Sequence, residues 1–232
     1  MLTCSSLAIL AMYGATLSGR VQLRDSKDPN VRKRLDYSGV VLWLEPLGAP
    51  APELKPARAK MIQKDKTFIP HILAVTAGAT VDFPNYDPIF HNAFSNYDGQ
   101  IFDIGLYPPG STRSVRFTRP GVVRIFCNIH ATMSAVIVVV PAPWYAVTAK
   151  DGSYSINGLP AGLYRLRLFH ERATKATLDR LAAEVSITHA AERLPAITIS
   201  ESGYLSVPHK NKYGHEYPPP PSDEGFYPSV RK

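Results

Sequence analysis

Residues 126–134 read Phe-Cys-Asn-Ile-His-Ala-Thr-Met-Ser, and they lie at a corner between two predicted β-strands. Cys127, His130 and Met133 therefore share one loop, in which side chains three residues apart can turn toward a common point. A thiolate, an imidazole and a weak thioether are donors that suit copper. Zinc prefers four strong ligands, so the methionine disfavours it.

A copper site of this kind needs a second imidazole, which has to come from a different loop at the same end of the fold. His91 is the best candidate, because it follows a predicted strand at 80–83 and a proline turn at Pro88. The other histidines fit less well, since they lie in a predicted strand or in later parts of the chain: His71, His170, His189, His209 and His215.

The rest of the 232-residue chain consists of short apolar or alternating runs. Its 21 prolines and 15 glycines stand mostly between these runs, as is typical of a protein with many β-turns. Asp151-Gly152 is a strong hairpin signal, and residues 164–169 alternate clearly between apolar and polar. Helical periodicity is nearly absent. The sequence predicts an all-β fold, as a sandwich or barrel.

From about residue 60 to 140 the chain resembles the cupredoxins, and its Cys-x-x-His-x-x-Met loop is most similar to that of amicyanin. The motifs that carry the resemblance follow the family's order: Phe68-x-Pro70, Val75-x-x-Gly78-x-x-Val81-x-Phe83-x-Asn85, His91-Asn92 and Gly121 to Cys127-x-x-His130-x-x-Met133. The resemblance implies a Greek-key β-sandwich or barrel. It also implies one type 1 copper ion, with His91, Cys127 and His130 as equatorial ligands and Met133 as the axial one.

Two neighbours of these ligands have roles of their own. The resemblance implies that the backbone N–H of Asn92 points at the thiolate and that its side chain ties the two ligand loops together. Ile129 stands where relatives with this short loop often carry proline, and it keeps an N–H that can donate to the Cys127 sulfur. Such a bond favours Cu(I), so we predict a comparatively high reduction potential. Ala131-Thr132 is smaller than the matching pair in amicyanin-like loops, which leaves the loop's rigidity open.

The flanking segments resemble a carboxypeptidase regulatory-like β-sandwich. The resemblance rests on Gly19-x-Val21, Val40 to Leu44, and Thr148-x-x-Asp151-Gly152-x-Tyr154-x-Ile156-x-Gly158-Leu159-Pro160-Ala161-Gly162-x-Tyr164. We predict that residues 16–48 and 143–200 form this sandwich and that a copper domain at 57–141 is inserted into it. Domains in series are the alternative. Residues 201–232 read as a proline-rich tail, flexible or draped on the surface.

The composition and charge of the chain indicate which classes of partner and which location to expect. The net charge of +7 is dispersed, and its one tight run, Arg32-Lys33-Arg34, comes without a nucleic-acid motif, so we expect no nucleic-acid binding. No apolar stretch approaches the ~20 residues that span a bilayer. Residues 1–15 resemble a partial secretory signal, which favours a periplasmic or extracellular location. Cys4 lies in that segment, so we expect no disulfide between it and Cys127.

These features predict an electron carrier that cycles one copper between Cu(II) and Cu(I) and serves redox protein partners of unknown identity. We expect no enzyme activity. A multicopper oxidase or nitrite reductase needs a further copper cluster, and the chain has no His-x-His pair. A Cys–His hydrolase lacks a recognisable oxyanion-hole loop. Two alternatives stay open: a β-sandwich binding module without redox function, and a copper storage or delivery protein.

Overall fold

The computed structural model describes residues 14–50, 52–96, 99–188, 190–205 and 208–218. Several features singled out in the sequence lie outside these ranges, namely Cys4, almost all of the predicted signal segment, His189 and the prolines from 219 onward. Among the described residues, no helix is long and apolar enough to cross a membrane.

The prediction of an all-β fold is confirmed. The elements up to residue 103 are β1 (Ala15–Arg24), α1 (Pro29–Arg34), β2 (Val41–Pro46), β3 (Arg58–Lys60), β4 (Ile62–Lys64), β5 (Thr67–Ile69), β6 (Ile72–Thr76), β7 (Thr80–Pro84), β8 (Phe94–Ser95) and β9 (Phe102–Asp103). The later elements are β10 (Thr112–Arg116), β11 (Gly121–Phe126), β12 (Ser134–Val140), β13 (Tyr145–Val147), β14 (Ser153–Leu159), β15 (Gly162–Phe169), α2 (Lys175–Leu181), β16 (Ala183–Ile187), β17 (Glu192–Arg193) and β18 (Ile197–Ser200).

The short helix α1 lies in a charged, turn-rich segment that has no apolar periodicity, so the sequence pattern does not predict it. Its signals are local and weak: the Asp28 side chain accepts the Asn30 N–H, and Pro29 opens the first turn. The basic run 32–34 forms the last turn of this helix, where positive charge is favourable. The run therefore has a structural explanation within the helix.

Strand pairing joins the beginning of the chain to its later part. β1 pairs with β14, β17 and β18, and β2 pairs with β13 and β15, which in turn pairs with β16. The inward residues of these two sheets, among them Leu17, Val21 and Ile156, form one apolar core. β1 alternates between buried and half-exposed positions, as expected for a strand with one face on a core.

The central strands form a second layered unit. One sheet has the order β6-β12-β11-β8-β9, another the order β10-β7-β3, and β4 pairs with β5. Phe83, Phe117 and Ile125 are fully buried in the core between these sheets. The domain boundaries predicted above, 16–48 with 143–200 and 57–141, stay predictions.

β12 explains why one stretch of the sequence is apolar without alternation. Its residues Ala135, Ile137 and Val139 face the core of the central sheets. Val136 and Val138 face the other way and pack in a third apolar cluster with Val41 and Phe169 of the flanking sheet. The strand is covered on both faces and starts directly after the loop 127–133, so it anchors one end of that loop.

Candidate metal centre

The loop between β11 and β12 is a tight turn that closes on itself. The Cys127 N–H donates to the Met133 carbonyl over 3.1 Å, and the Met133 N–H donates to the His130 carbonyl over 3.0 Å. These bonds fold the seven residues back, so that Cys127 and His130 project toward the same point. The local spacing predicted this arrangement.

Three donor atoms meet beside this turn. The Cys127 Sγ lies 3.6 Å from Nδ1 of His130 and 3.9 Å from Nδ1 of His91. All three atoms lie within 4.8 Å of one another. Cys127 and His91 are fully buried, and His130 is partly buried. A histidine 36 residues before the cysteine thus shares its pocket, as the sequence predicted.

The spacing of these atoms suits a single metal ion. With metal–nitrogen bonds of about 2.0 Å and metal–sulfur bonds of about 2.3 Å, a trigonal ion holds sulfur and nitrogen about 3.7 Å apart. The two observed sulfur–nitrogen distances lie close to this value. The three donor atoms could therefore hold one metal ion of low coordination number.

Met133 is fully buried and belongs to the same apolar cluster as Cys127. Its thioether is thus held on the inner side of the ligand loop, among aliphatic and aromatic side chains. Its part as a fourth, axial ligand stays a prediction.

His91 is held by the carboxylate of Asp87, which stands four residues earlier in the chain. Its Nε2 lies 2.7 Å from Oδ2 of Asp87, and the backbone N–H groups of Asp65 and Lys66 donate to the same carboxylate over 2.6 and 2.9 Å. Burial raises the pKa of Asp87, but the bonds from Lys66, His91 and Asp65 lower it more, so the group is ionised. The only sequence signal for this pair is its spacing of four residues.

An ionised carboxylate can only accept hydrogen bonds, so the ring proton of His91 has to sit on Nε2. Nδ1 then keeps its lone pair and directs it toward the Cys127 sulfur. The backbone of His91 is fixed by reciprocal bonds with Tyr107, of 3.2 and 2.9 Å. Both the tautomer and the position of this imidazole are thereby set before any metal arrives.

The two imidazoles are neutral near pH 7. Burial lowers the pKa of His91, with partial compensation from Asp87. Burial together with the nearby His91 lowers the pKa of His130 to about 4. Neutral imidazoles are the form that binds metals, so no proton competes at either nitrogen.

The thiol of Cys127 has a raised pKa, so in the metal-free protein it is neutral near pH 7. Burial raises its pKa, but hydrogen bonds from the backbone N–H groups of Ile129, Asn92 and His130 act in the opposite direction. The N–H groups of Ile129 and Asn92 were expected to reach this sulfur. A bound cation would stabilise the negative charge of the thiolate, because a thiol that coordinates a metal is deprotonated.

The side chain of Asn92 links the two loops, as expected. Its Oδ1 accepts the Asn128 N–H over 3.3 Å, and its Nδ2 donates to Oδ1 of Asp103 over 2.7 Å. Asp103 also accepts the Gly105 N–H. Asn92 stands eleven residues before Asp103, and no motif in the sequence predicts their contact.

The remaining described histidines lie outside this pocket. His71 bonds to Glu171 over 2.7 Å, and His170 bonds to Glu201 over 2.8 Å. Glu201 also accepts from Arg172 and Ser26, and although burial raises its pKa, these bonds lower the pKa to about 2. The cluster around Glu201 connects the residues after β15 to the residue after β18. The negative charge of Glu201 is paired with Arg172.

Comparisons with known proteins give structural matches only. No family model matches the sequence, and no curated protein matches it. A copper-containing nitrite reductase from Thermus scotoductus SA-01 is similar over 41% of this chain and 25% of its own length, with 25% identity and a TM-score of 0.35. A purple cupredoxin from Nitrosopumilus maritimus is similar over 35% of this chain and 99% of its own, with 22% identity and a TM-score of 0.33. An oxidised mutant of amicyanin is similar over 35% of this chain and 80% of its own, with 19% identity and a TM-score of 0.33.

Proposed function

We propose that this protein binds one copper ion of the type 1 kind through His91, Cys127, His130 and Met133, and passes single electrons between redox partners. One observation carries the proposal. A buried thiol and two neutral imidazoles from separate loops direct their donor atoms at one point, with spacings that suit a trigonal ion.

The donor set favours copper over other metals. A thiolate with two imidazoles and a buried thioether beside them is the combination of soft and intermediate donors that copper accepts in both of its common oxidation states. Bound copper supplies a one-electron Cu(II)/Cu(I) couple. The protein's own contribution is a set of ligands that barely move, because His91 is tied to Asp87 and Tyr107, and the ligand loop is closed by its own backbone bonds.

The position of His130 supports exchange of electrons with another molecule. His91 is fully buried, whereas His130 is only partly buried and its neighbour Ile129 is 38% exposed. The His130 side is thus where a partner comes nearest to the metal. A redox partner would dock at this edge, and its identity is open.

The same proposal includes the organisation and location of the chain. Residues 57–141 form the copper domain, and residues 16–48 with 143–200 form the flanking sandwich that carries it. The packing of β12 against Val41 and Phe169 supports a fixed arrangement of the two units. A periplasmic or extracellular location goes with the predicted signal segment, and the chain acts as a carrier rather than an enzyme.

Copper titration of the purified apo-protein tests the function. Adding Cu(II) should give a strong blue, green or purple thiolate-to-copper absorption at one equivalent, and ascorbate should bleach it reversibly. Cys127→Ala should abolish the colour, and Cys4→Ser is the matched control that should keep it. Colourless protein that still binds Cu(I) would favour storage or delivery, and protein that binds no copper would favour a binding module.

A further inference from the structure

The C-terminal segment 208–218 lies across the ligand loop instead of extending into solvent. Tyr217 Oη donates to the Cys127 carbonyl over 2.8 Å, and the Lys212 N–H donates to Oδ1 of Asn128 over 3.0 Å. The imidazole of His209 stacks on the ring of Phe126, with the ring centres 4.1 Å apart. The sequence predicted a tail that is either flexible or draped on the surface, and residues 208–218 are draped on the surface.

A second anchor lies beside the loop. Lys212 Nζ lies 2.7 Å from Oδ2 of Asp103, the same carboxylate whose other oxygen accepts from Asn92. Asn92 in turn accepts the Asn128 N–H. The segment therefore joins the hydrogen-bond network that connects the two ligand loops, and it does so from outside.

The segment has internal order that lets it act as a unit. Asn211 Oδ1 accepts the N–H groups of Tyr213 and His215, and the Asn211 N–H donates to the His215 carbonyl over 2.9 Å. Gly214 takes a left-handed φ of 80° in this turn, which a residue without Cβ adopts freely. Lys212 lies within this turn and Tyr217 follows it by two residues, so the turn fixes the spacing between the two anchors.

We propose that this segment is a clamp in which Tyr217 and Lys212 are positioning residues for Cys127. Cys127 is fully buried, so a metal or a reagent reaches its sulfur only after the loop opens locally. Opening moves the carbonyl of Cys127 and the side chain of Asn128, which breaks both bonds to the segment. The clamp thus lowers the population of open loop and fixes the orientation of the sulfur. The second effect rests on the proposed copper function, whereas the first concerns the metal-free chain.

The test uses the full-length chain with Cys4→Ser, so that Cys127 is the one thiol. The variants are Tyr217→Phe, which removes a hydroxyl and keeps the ring, and the double variant Tyr217→Phe/Lys212→Gln. The second substitution removes the bond of Lys212 Nζ to Asp103 and leaves the backbone bond of Lys212 to Asn128 in place. Tyr204→Phe is the control: it removes a hydroxyl from a tyrosine whose backbone N–H bonds to Glu201 instead. In the apo-protein, the rate of Cys127 with an aromatic disulfide reagent should rise about fivefold for each bond lost. The global unfolding midpoint should fall by only about 2–4 °C for each bond, since each contributes about 1 kcal/mol.

The absorption spectrum of the copper-loaded protein tests the positioning role. A segment that only covered the loop would not change the thiolate-to-copper bands. In Tyr217→Phe the thiolate-to-copper bands should shift in position or relative intensity, and transfer of Cu(I) to a chelator should become faster. Unchanged thiol reactivity in a folded Tyr217→Phe protein overturns the clamp. Faster thiol reaction with unchanged bands overturns the positioning role. If the parent chain binds no copper, the proposed function fails, while the thiol rates of the apo-proteins still decide whether the segment restrains the loop.

Discussion

Asp87→Asn isolates the effect of one buried carboxylate on the metal centre. Asp87 contacts His91 at Nε2, on the far side of the ring from the donor atom Nδ1. Asparagine has nearly the same shape, so the substitution removes the negative charge and one acceptor oxygen while changing the volume little. We expect a higher reduction potential and weaker Cu(II) binding.

The size of the effect follows from the geometry. The carboxylate oxygen lies 2.7 Å from Nε2. A copper ion bonded to Nδ1 would lie roughly 6.5 Å from that charge, and at an effective dielectric constant of about 20 the interaction is about 2.5 kcal/mol per unit charge. Reduction changes the copper charge by one unit, so removing the carboxylate should raise the potential by about 110 mV, at about 59 mV per tenfold change in the equilibrium constant. Loss of such a ligand partner should also weaken metal binding about 10- to 100-fold.

The assay is voltammetry of the copper-loaded protein, with Asp65→Asn as the matched control. Asp65 is exposed and takes a left-handed φ of 53°, a conformation that asparagine tolerates. Its substitution removes the same charge from the turn that bonds to Asp87, and it keeps the backbone N–H that Asp65 donates to that carboxylate. The control should change the potential far less. In apo-protein, nitrogen NMR of His91 should show the loss of the fixed Nε2–H tautomer in the Asp87 variant. A potential that is unchanged or lower than that of the control would refute the electrostatic role of Asp87.

Four further results are expected. Ile129→Pro removes an N–H that bonds to the thiolate, so the reduction potential should fall, and an equal or higher potential in voltammetry would contradict this. Cys127→Ala should abolish the thiolate-to-copper absorption and leave the far-ultraviolet circular dichroism unchanged. His130 has a folded-state pKa lowered to about 4, so the unfolded chain binds its proton first. The apo-protein should therefore lose stability as the pH falls from about 6.5 to about 4, as a series of denaturant titrations would reveal. Glu201→Gln breaks a buried, ionised cluster and should lower the free energy of unfolding by about 3 kcal/mol, while the exposed control Glu216→Gln should change it by less than about 0.5 kcal/mol; equal effects would be inconsistent with the cluster's role.

The all-β class and most strand positions follow from local patterns. The β-branched run 134–140, which Pro141 ends, has the composition typical of a buried strand, and β12 occupies it. The sequence could not say what covers each face of it. The structure shows the core of the central sheets on one face and Val41 with Phe169 on the other. Short strands such as β8 and β17 have too few residues to show a period, and only their partners define them.

Local sequence alone determined the arrangement of Cys127 and His130, because a seven-residue turn between paired strands has few ways to close. Contacts between residues that are farther apart in the sequence determined the surroundings of these two side chains. The turn at 65–66 donates two N–H groups to the carboxylate of Asp87. These bonds help to keep the carboxylate ionised where it accepts the hydrogen bond from His91. Tyr217 reaches the Cys127 carbonyl across 90 residues of sequence. Contacts of this kind arise from tertiary packing, so the local sequence pattern does not predict them.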